Sequence, residues 1–378
     1  MEYHRLGDYI REVNVRNREL KVTEPKGINI DKHFMPSVAN VIGTDLSTYK
    51  LVSKNQFACN LMHVGRDEKI PMAIQTDDEP IIVSPAYFVF EVTKTDELLP
   101  EYLMMWFCRK EFDRNAWFYT DADVRGGLGK EALMDMQLPV PSIGRQREIV
   151  SEYETLTRRI RLNNQMIEKL EATAQALYHK TFVAGIDKQN LPQGWRIAEL
   201  GTLVDIKRGS SPRPIDQYMA TEGLPWLKIS DATNAKSPFI FEVKEFIKED
   251  GLSSTVYRHT GDLILSNSAS PGLPKFLELD SCIHDGWLYF DNPQIPLIFL
   301  YLTFQHIRKD LVAEGNGAIF INLKTEILKK LSILLPDKTT MNTFCQNVNT
   351  LFALMKVTAL ENQKLSQIQS LLMAKMGQ

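Results

Sequence analysis

The chain has 378 residues, too many for one typical core, so two domains or two plus a connector are expected. Its 44% hydrophobic and 24% charged residues are those of an ordinary globular protein. A net charge of −3 and a pI of about 6.2 argue against a protein that merely coats nucleic acid, though not against one whose basic residues gather on one face.

The first elements alternate between apolar runs and polar loops. "HRLGDYI" opens the chain at His4, and "EVNVRNRELK" follows with Arg16 and Arg18. "NLMHVGRDEKI" supplies Asn60, His63 and Arg66 in a second polar loop. "TDDEP", Thr76 to Pro80, reads as an exposed acidic turn rather than a cation site. "EPIIVSPAYFVFEV", from Glu79, is rich in β-branched and aromatic residues and predicts strands. "LPEYLMMWFCRKEF", from Leu99, predicts a helix with an apolar face. "RGGLGKEAL", from Arg125, has the wrong spacing for a phosphate loop and reads as the entry to a short helix that leads to Pro139, with Arg125 counted among the basic loop residues.

Past "LPVPS" comes the clearest period in the chain. Ile149, Tyr153, Leu156, Ile160, Asn163, Ile167, Leu170, Ala174 and Leu177 advance by steps of four and three, a heptad seam. "LPQGWRIAELG", Leu191 to Gly201, then stops the helix with Pro192 and Gly194. Trp195 is expected to pack this restart against a neighbouring surface, and "AELG" repeats the sense of the opening "HRLG".

From here the sequence repeats itself. "LGDYI" at Leu6 matches "LGTLV" at Leu200, "LPEYLMMWFCRKEF" matches "IPLIFLYLTFQHIR" at Ile295, and "LPVP" ending at Pro141 matches "ILLP" ending at Pro336. The offsets are 194, 196 and 195, so the chain is two copies of one unit. Adding 195 to the first seam gives Phe344, Val348, Leu351, Met355, Thr358, Asn362, Leu365, Gln369 and Leu372. Asn163 and Thr358 share one seam position, where a polar group is expected to fix register. Intramolecular pairing of the two helices is favoured by tethering. A pseudo-twofold relation would make them antiparallel, and about 40 residues would span roughly 60 Å, or roughly 18 base pairs of duplex at about 3.4 Å each.

The second copy brings its own polar loops. "DIKRGSSPRP" sets Lys207, Arg208, Ser210 and Arg213 among Gly, Ser and Pro, a mixture suited to phosphate oxygens and guanine edges. "SNSASPG" offers Asn267, Ser268 and Ser270 at a strand end, where Asn can pair with adenine, and "AEGNGAIFINLK" offers Asn316 and Lys324. Each of these residues alone reads more readily as part of a solvated turn; the occurrence of such clusters at related places in both copies shifts the balance modestly toward binding.

No catalytic or metal constellation is visible. The chain has no P-loop, no dinucleotide-binding glycine pattern after a strand, no nucleophile elbow and no (D/N)PP(Y/F/W) loop. Cys59, Cys108, Cys282 and Cys345 form no CxxC pair, and the seven histidines are dispersed, so no zinc is expected. No apolar run approaches the roughly 20 residues of a membrane span, "PLIFLYLTF" at Pro296 reading as a buried helix. "MEYHRLGD" lacks the features of a signal peptide, so the cytoplasm and no membrane partner are expected.

The order of these features resembles the specificity subunit of type I restriction-modification systems. The resemblance rests on "LPQGW" (Leu191 to Trp195), "GLPWLKISD" (Gly223 to Asp231), "GDLILSNSASPG" (Gly261 to Gly272) and "LPVPSIGRQREIV" (Leu138 to Val150), and covers essentially the whole chain. "LLPDKTTMNTF" departs from it, lacking the glutamine of the first helix start. The resemblance implies an α+β chain: a first target-recognition domain over 1–141, a long spacer helix over 142–186, a linker over 187–195, a second target-recognition domain over 196–336 and a second spacer helix over 337–378. The heads would form a pseudo-twofold tandem repeat separated by an antiparallel intramolecular coiled coil, seamed by Ile149, Leu156, Ile160, Ile167, Leu170, Leu177, Phe344, Leu351, Met355, Leu365 and Leu372. It further implies a non-catalytic reader of double-stranded DNA, one half of an asymmetric split site per head. Two methyltransferase subunits would dock on the helices and restriction subunits would join. S-adenosylmethionine and ATP would belong to those partners, with no cofactor on this chain. A protein–protein scaffold with two adaptor domains on a coiled-coil rod is the competing expectation, and an enzyme with an unrecognised site a third.

Overall fold

A computed structural model describes residues 3–38, 43–62, 64–120, 126–313 and 325–376. The chain divides into two compact units, Met1–Arg158 with Leu365–Gln378, and Arg159–Lys364. Both cuts fall inside long helices, Ile143–Phe182 of 40 residues and Lys338–Lys375 of 38. Each unit therefore holds a mixed α/β head and a stretch of each helix. No helix among the described residues is long and apolar enough to cross a membrane.

In the first unit the strand Tyr3–Arg5 pairs antiparallel with Gln137–Pro139, bringing the start of the head beside its end. One four-stranded sheet runs in the order Ile10–Glu12, Phe88–Val92, Gln56–Cys59, Met72–Ile74. A second runs Phe34–Pro36, Pro25–Ile28, Ile81–Val83, Lys50–Val52, with a parallel pair between its two central strands. The first sheet buries Phe57 and Phe90, which stack at 4.9 Å, and Phe107 meets both edge-on from the helical side.

The helical segment from Leu99 breaks in two, Pro100–Phe107 and Lys110–Phe118. Arg109 at the break is extended and lies over the Trp106 ring at 4.2 Å. The buried Lys32, reached through a left-handed turn at φ 66°, fills the gap. Its ammonium donates to the Phe107 carbonyl and to Asp113, 2.7 Å away, which also accepts from the Ile70 amide. A helix carbonyl that would otherwise be buried bare is thus satisfied, and the charge of a buried carboxylate is paired. The glycine-rich segment enters the helix Lys130–Asp135, as its sequence predicts.

In the second unit Arg196–Glu199 pairs antiparallel with Ser332–Leu335, the counterpart of the first unit's terminal pair. One five-stranded sheet runs Asp205–Arg208, Trp287–Asp291, Leu263–Ser266, Pro274–Leu277, Phe239–Ile240. Another runs Met219–Ala220, Glu245–Ile247, Leu224–Leu227, Ser281–Ile283, Val256–Arg258. Here the segment matching Leu99 forms one unbroken helix, Leu297–Ala313. Its Phe299 and Tyr301 join Tyr178, Phe182, Phe344 and Phe352 from the long helices in the largest apolar cluster of the unit. Tyr178, Phe182 and Phe352 lie off the heptad seam: the helices bury a second apolar row against the head.

Every seam residue is buried or half-buried. Ile149, Tyr153 and Leu372 belong to the first unit's core; Ile167, Leu170, Leu177, Phe344, Leu351 and Met355 belong to the second's; Leu156, Ile160 and Leu365 are half-buried. Within the second unit Phe182 contacts Phe344 while Asn163 contacts Asn362, so the helices run antiparallel there. Asn163 donates to Glu361 and Asn362, Asn362 donates to Asn164, and Arg159 pairs with Glu361 at 2.9 Å. This polar layer has directional bonds that a shifted register would leave unmade. Thr358, the matching seam position, instead donates to its own helix at Leu354.

The two helix starts differ in chemistry. Ser142 precedes the first, and the fully buried Gln146 donates to the Glu97 and Pro141 carbonyls and accepts from the Leu99 amide. At the second start Asp337 accepts from the amides of Thr339 and Thr340, the Thr340 hydroxyl and the Trp195 indole. Trp195 also packs on Phe182, at 5.9 Å between ring centroids.

Candidate nucleic-acid interface

Strand pairing explains which loops meet in the second unit. Arg208 ends its strand opposite Leu288, and Ser266 ends its strand opposite Trp287. The loops that leave these two strands, and the loop that enters the strand between them, therefore emerge from one end of the sheet. They carry Gly209–Pro214, Asn267–Gly272 and His284–Gly286. The first two are loops singled out in the sequence; the third, "HDG", is not.

Asp285 is the hub. Its carbonyl accepts from Arg208 Nε at 2.5 Å and from the side-chain Nδ2 of Asn267 at 3.1 Å. Its carboxylate accepts from the Ser211 hydroxyl at 3.0 Å and lies 3.7 Å from Arg208 and 3.6 Å from Arg213. Partial burial works to raise this carboxyl, but the Ser211 hydroxyl, its own backbone amide and Arg208 outweigh burial and hold it below the usual range. His284 Nδ1 accepts from the Gly286 amide, and burial pushes its ring toward the neutral form. Gly209 is required by closeness: a Cβ there would stand 2.3 Å from the His284 carbonyl oxygen.

The other second-unit residues take distinct places. Lys207 pairs with Asp291 at 3.0 Å, a bond that raises its ammonium above the ordinary value. Ser210 donates to the Ser254 carbonyl, Ser268 is half-buried beside Gly286, and Arg213 is 75% exposed. Asn267 is 5% exposed with its amide given to Asp285, so it holds the loop and does not present a base-pairing edge. Its loop is pinned by Ser266, which donates to the Ser270 carbonyl and accepts from Leu273, and by Arg308, which donates to Ser270 and Pro271. Asn316 and Lys324 lie outside the described residues.

In the first unit the candidate residues divide between the sheets. Arg16 bridges to Lys50 in the second sheet and donates to the Thr48 carbonyl at 2.6 Å; Arg18 is exposed in the same segment. The buried Asn17 between them, unmarked in the sequence, fixes that segment through Val22 and Leu46. Asn60 follows a strand of the first sheet, and its side-chain oxygen accepts from the Met62 amide two residues on. The loop beyond crosses the glycine-rich segment where Gly65 and Gly126 touch backbone to backbone: a Cβ on Gly65 would lie 2.7 Å from Gly126 Cα. Arg66 sits on the short helix Val64–Asp67, its side chain not described; His63 and Arg125 lie outside the described residues. In "TDDEP", Asp78 pairs with Lys54 at 2.7 Å.

Residues 192–370 match the type I restriction modification DNA specificity domain. The chain is 18% identical over 361 residues to a putative type I restriction enzyme specificity subunit (MjaX) of Methanocaldococcus jannaschii, covering 91% of this chain and 82% of that one. It is 22% identical over 390 residues to the HindI specificity subunit of Haemophilus influenzae, covering 80% and 82%. In fold it is similar to the type I restriction-modification S subunit from M. genitalium, with a TM-score of 0.57 at 12% identity over 100% of this chain and 96% of that one. The chain is thus similar over most of its length to type I restriction-modification specificity subunits, and its residues 192–370 match their DNA specificity domain.

Proposed function

We propose that this chain is the non-catalytic DNA-reading subunit of a type I restriction-modification complex, and that it reads a split, asymmetric site in double-stranded DNA, one half per head. The observation that carries the reading is the meeting of three loops at one sheet end, with Arg208, Ser211 and Arg213 on Asp285, Ser268 beside Gly286, and Ser210 in the same loop as Ser211. Guanidinium and hydroxyl groups on loops from a rigid sheet supply both phosphate contacts and base-edge donors. Lys207, Arg16, Arg18, Asn60, His63, Arg66, Arg125, Asn316 and Lys324 are assigned to the same two reading surfaces.

The matching terminal strand pairs and head-closing helices support a pseudo-twofold tandem repeat. The long helices, an antiparallel coiled coil in this reading, set the spacer between half-sites and dock two methyltransferase subunits, to which restriction subunits add. S-adenosylmethionine and ATP are assigned to those partners and none to this chain. The complex acts in the cytoplasm as a DNA adenine methyltransferase and ATP-dependent endonuclease.

Methylome sequencing of cells with and without the chain tests this. Two half-sites at one fixed spacing, methylated only when the chain is present, are expected. No chain-dependent motif, or a motif without a fixed spacer, overturns the reading. A matched heptad insertion in both helices should lengthen the spacer while leaving both half-sites unchanged.

A further inference from the structure

The cations on and around this sheet of the second unit are not equivalent. Lys207 is tied to Asp291 through its ammonium, and Arg258 is mostly buried between Asp262 and Asp291. Arg213 approaches Asp285 through one guanidinium nitrogen and is 75% exposed. Arg208 alone of these has a fixed stem and an open fork. Its Nε is held by the Asp285 carbonyl, its NH2 lies 3.7 Å from the carboxylate, and the side chain is 56% exposed. Asp285 in turn is held by Ser211 and Asn267.

An arginine held this way has already lost much of the rotamer freedom that binding would otherwise remove, and its terminal nitrogens stay in one plane. Two coplanar donors match the O6 and N7 acceptors of guanine in the major groove. The carboxylate beside the guanidinium also repels phosphate, which disfavours use of the same arginine as a simple backbone clamp.

We infer that Arg208 reads a guanine in the half-site of the second unit, and that Asp285 is its positioning residue. The inference rests on the DNA-reading function proposed above. The test is selection from a random duplex pool by the full chain assembled with its modification subunits. The wild type should select a half-site with one G·C pair contacted by Arg208. Arg208→Lys should lose preference at that pair alone, by about 10- to 100-fold, and keep the other positions. Asp285→Asn should weaken preference at the same pair by a smaller factor and bind random duplex at least as well as wild type, because a negative charge is gone. A uniform loss of affinity on all sequences with Arg208→Lys would mark a phosphate contact and overturn the inference, as would unchanged preference at every position. A wild-type complex that selects nothing defeats the DNA-reading function itself and the inference with it.

Discussion

The two units solve the same mechanical problem with different chemistry. Each must anchor the first turn of a long helix to its head. In the first, buried Gln146 bonds three backbone groups across Glu97, Leu99 and Pro141. Adding 195 gives Met341, 7% exposed, whose thioether accepts only a weak contact from Cys345. Asp337 and Trp195 make the polar bonds instead, one turn earlier. A missing glutamine in a repeat thus marks relocation of the anchor, with Trp195 of "LPQGW" reaching back from the restart to complete it. The heads differ in the same manner: a helix continuous in the second unit is broken in the first, and Lys32 fills the break.

Three measurements break or sharpen this comparison. The largest effect is expected at the broken helix. Lys32→Met leaves Asp113 buried beside a bare carbonyl and should cost about 3–5 kcal/mol, read by denaturant unfolding of the full chain. A double variant with Asp113→Leu should recover much of it; a cost below about 1 kcal/mol for the single variant would show that the break holds itself. Next is the glutamine anchor. Gln146→Ala leaves the Leu99 amide and two carbonyls unpaired in the core and should cost about 3 kcal/mol, whereas Met341→Ala opens a cavity without orphaning polar groups. Hydrogen exchange distinguishes them: only Gln146→Ala should expose the Leu99 amide. The smallest effect concerns Asp337. The Thr340 hydroxyl and amide, then Trp195 and the Thr339 amide, hold its carboxyl below the usual range. Its contribution is therefore fully present above the unfolded value of about 3.9 and is lost as pH falls through the lower folded value. Wild type should lose more stability on acidification below about pH 4 than Asp337→Asn, and equal acid sensitivity would remove Asp337 as the second anchor.

What the sequence makes legible follows from the range of each interaction. Heptad spacing, Pro192 and Gly194, and the polar loops at Lys207 and Asn267 are local signals, and the long helices and sheet-end loops are where those signals point. The Asp285 loop is invisible because its partners Arg208, Ser211 and Asn267 are 77, 74 and 18 residues away. The same distance hides the opposite fates of Asn267 and Arg208, one turned inward and one left open. The helix break at Cys108 and Arg109 carries no Gly or Pro, and the lysine that satisfies it stands 75 residues earlier. Residue type identifies a candidate; nonlocal strand register decides whether it holds or is held.

The sheet end has a consequence for how such a chain can change. Along the strand Leu263–Ser266 every residue is buried, two positions further Ser268 is half-buried, and Ala269 is exposed. Substitution beyond that threshold alters donors and acceptors without removing apolar contacts, so its cost falls on affinity and not on folding. Gly209, Ser266 and Asn267 are the fixed hinges of this tolerance, each committed to backbone. New preferences are therefore accessible by single substitutions at the exposed loop positions, such as Arg213 and Ala269, that hold nothing else in place.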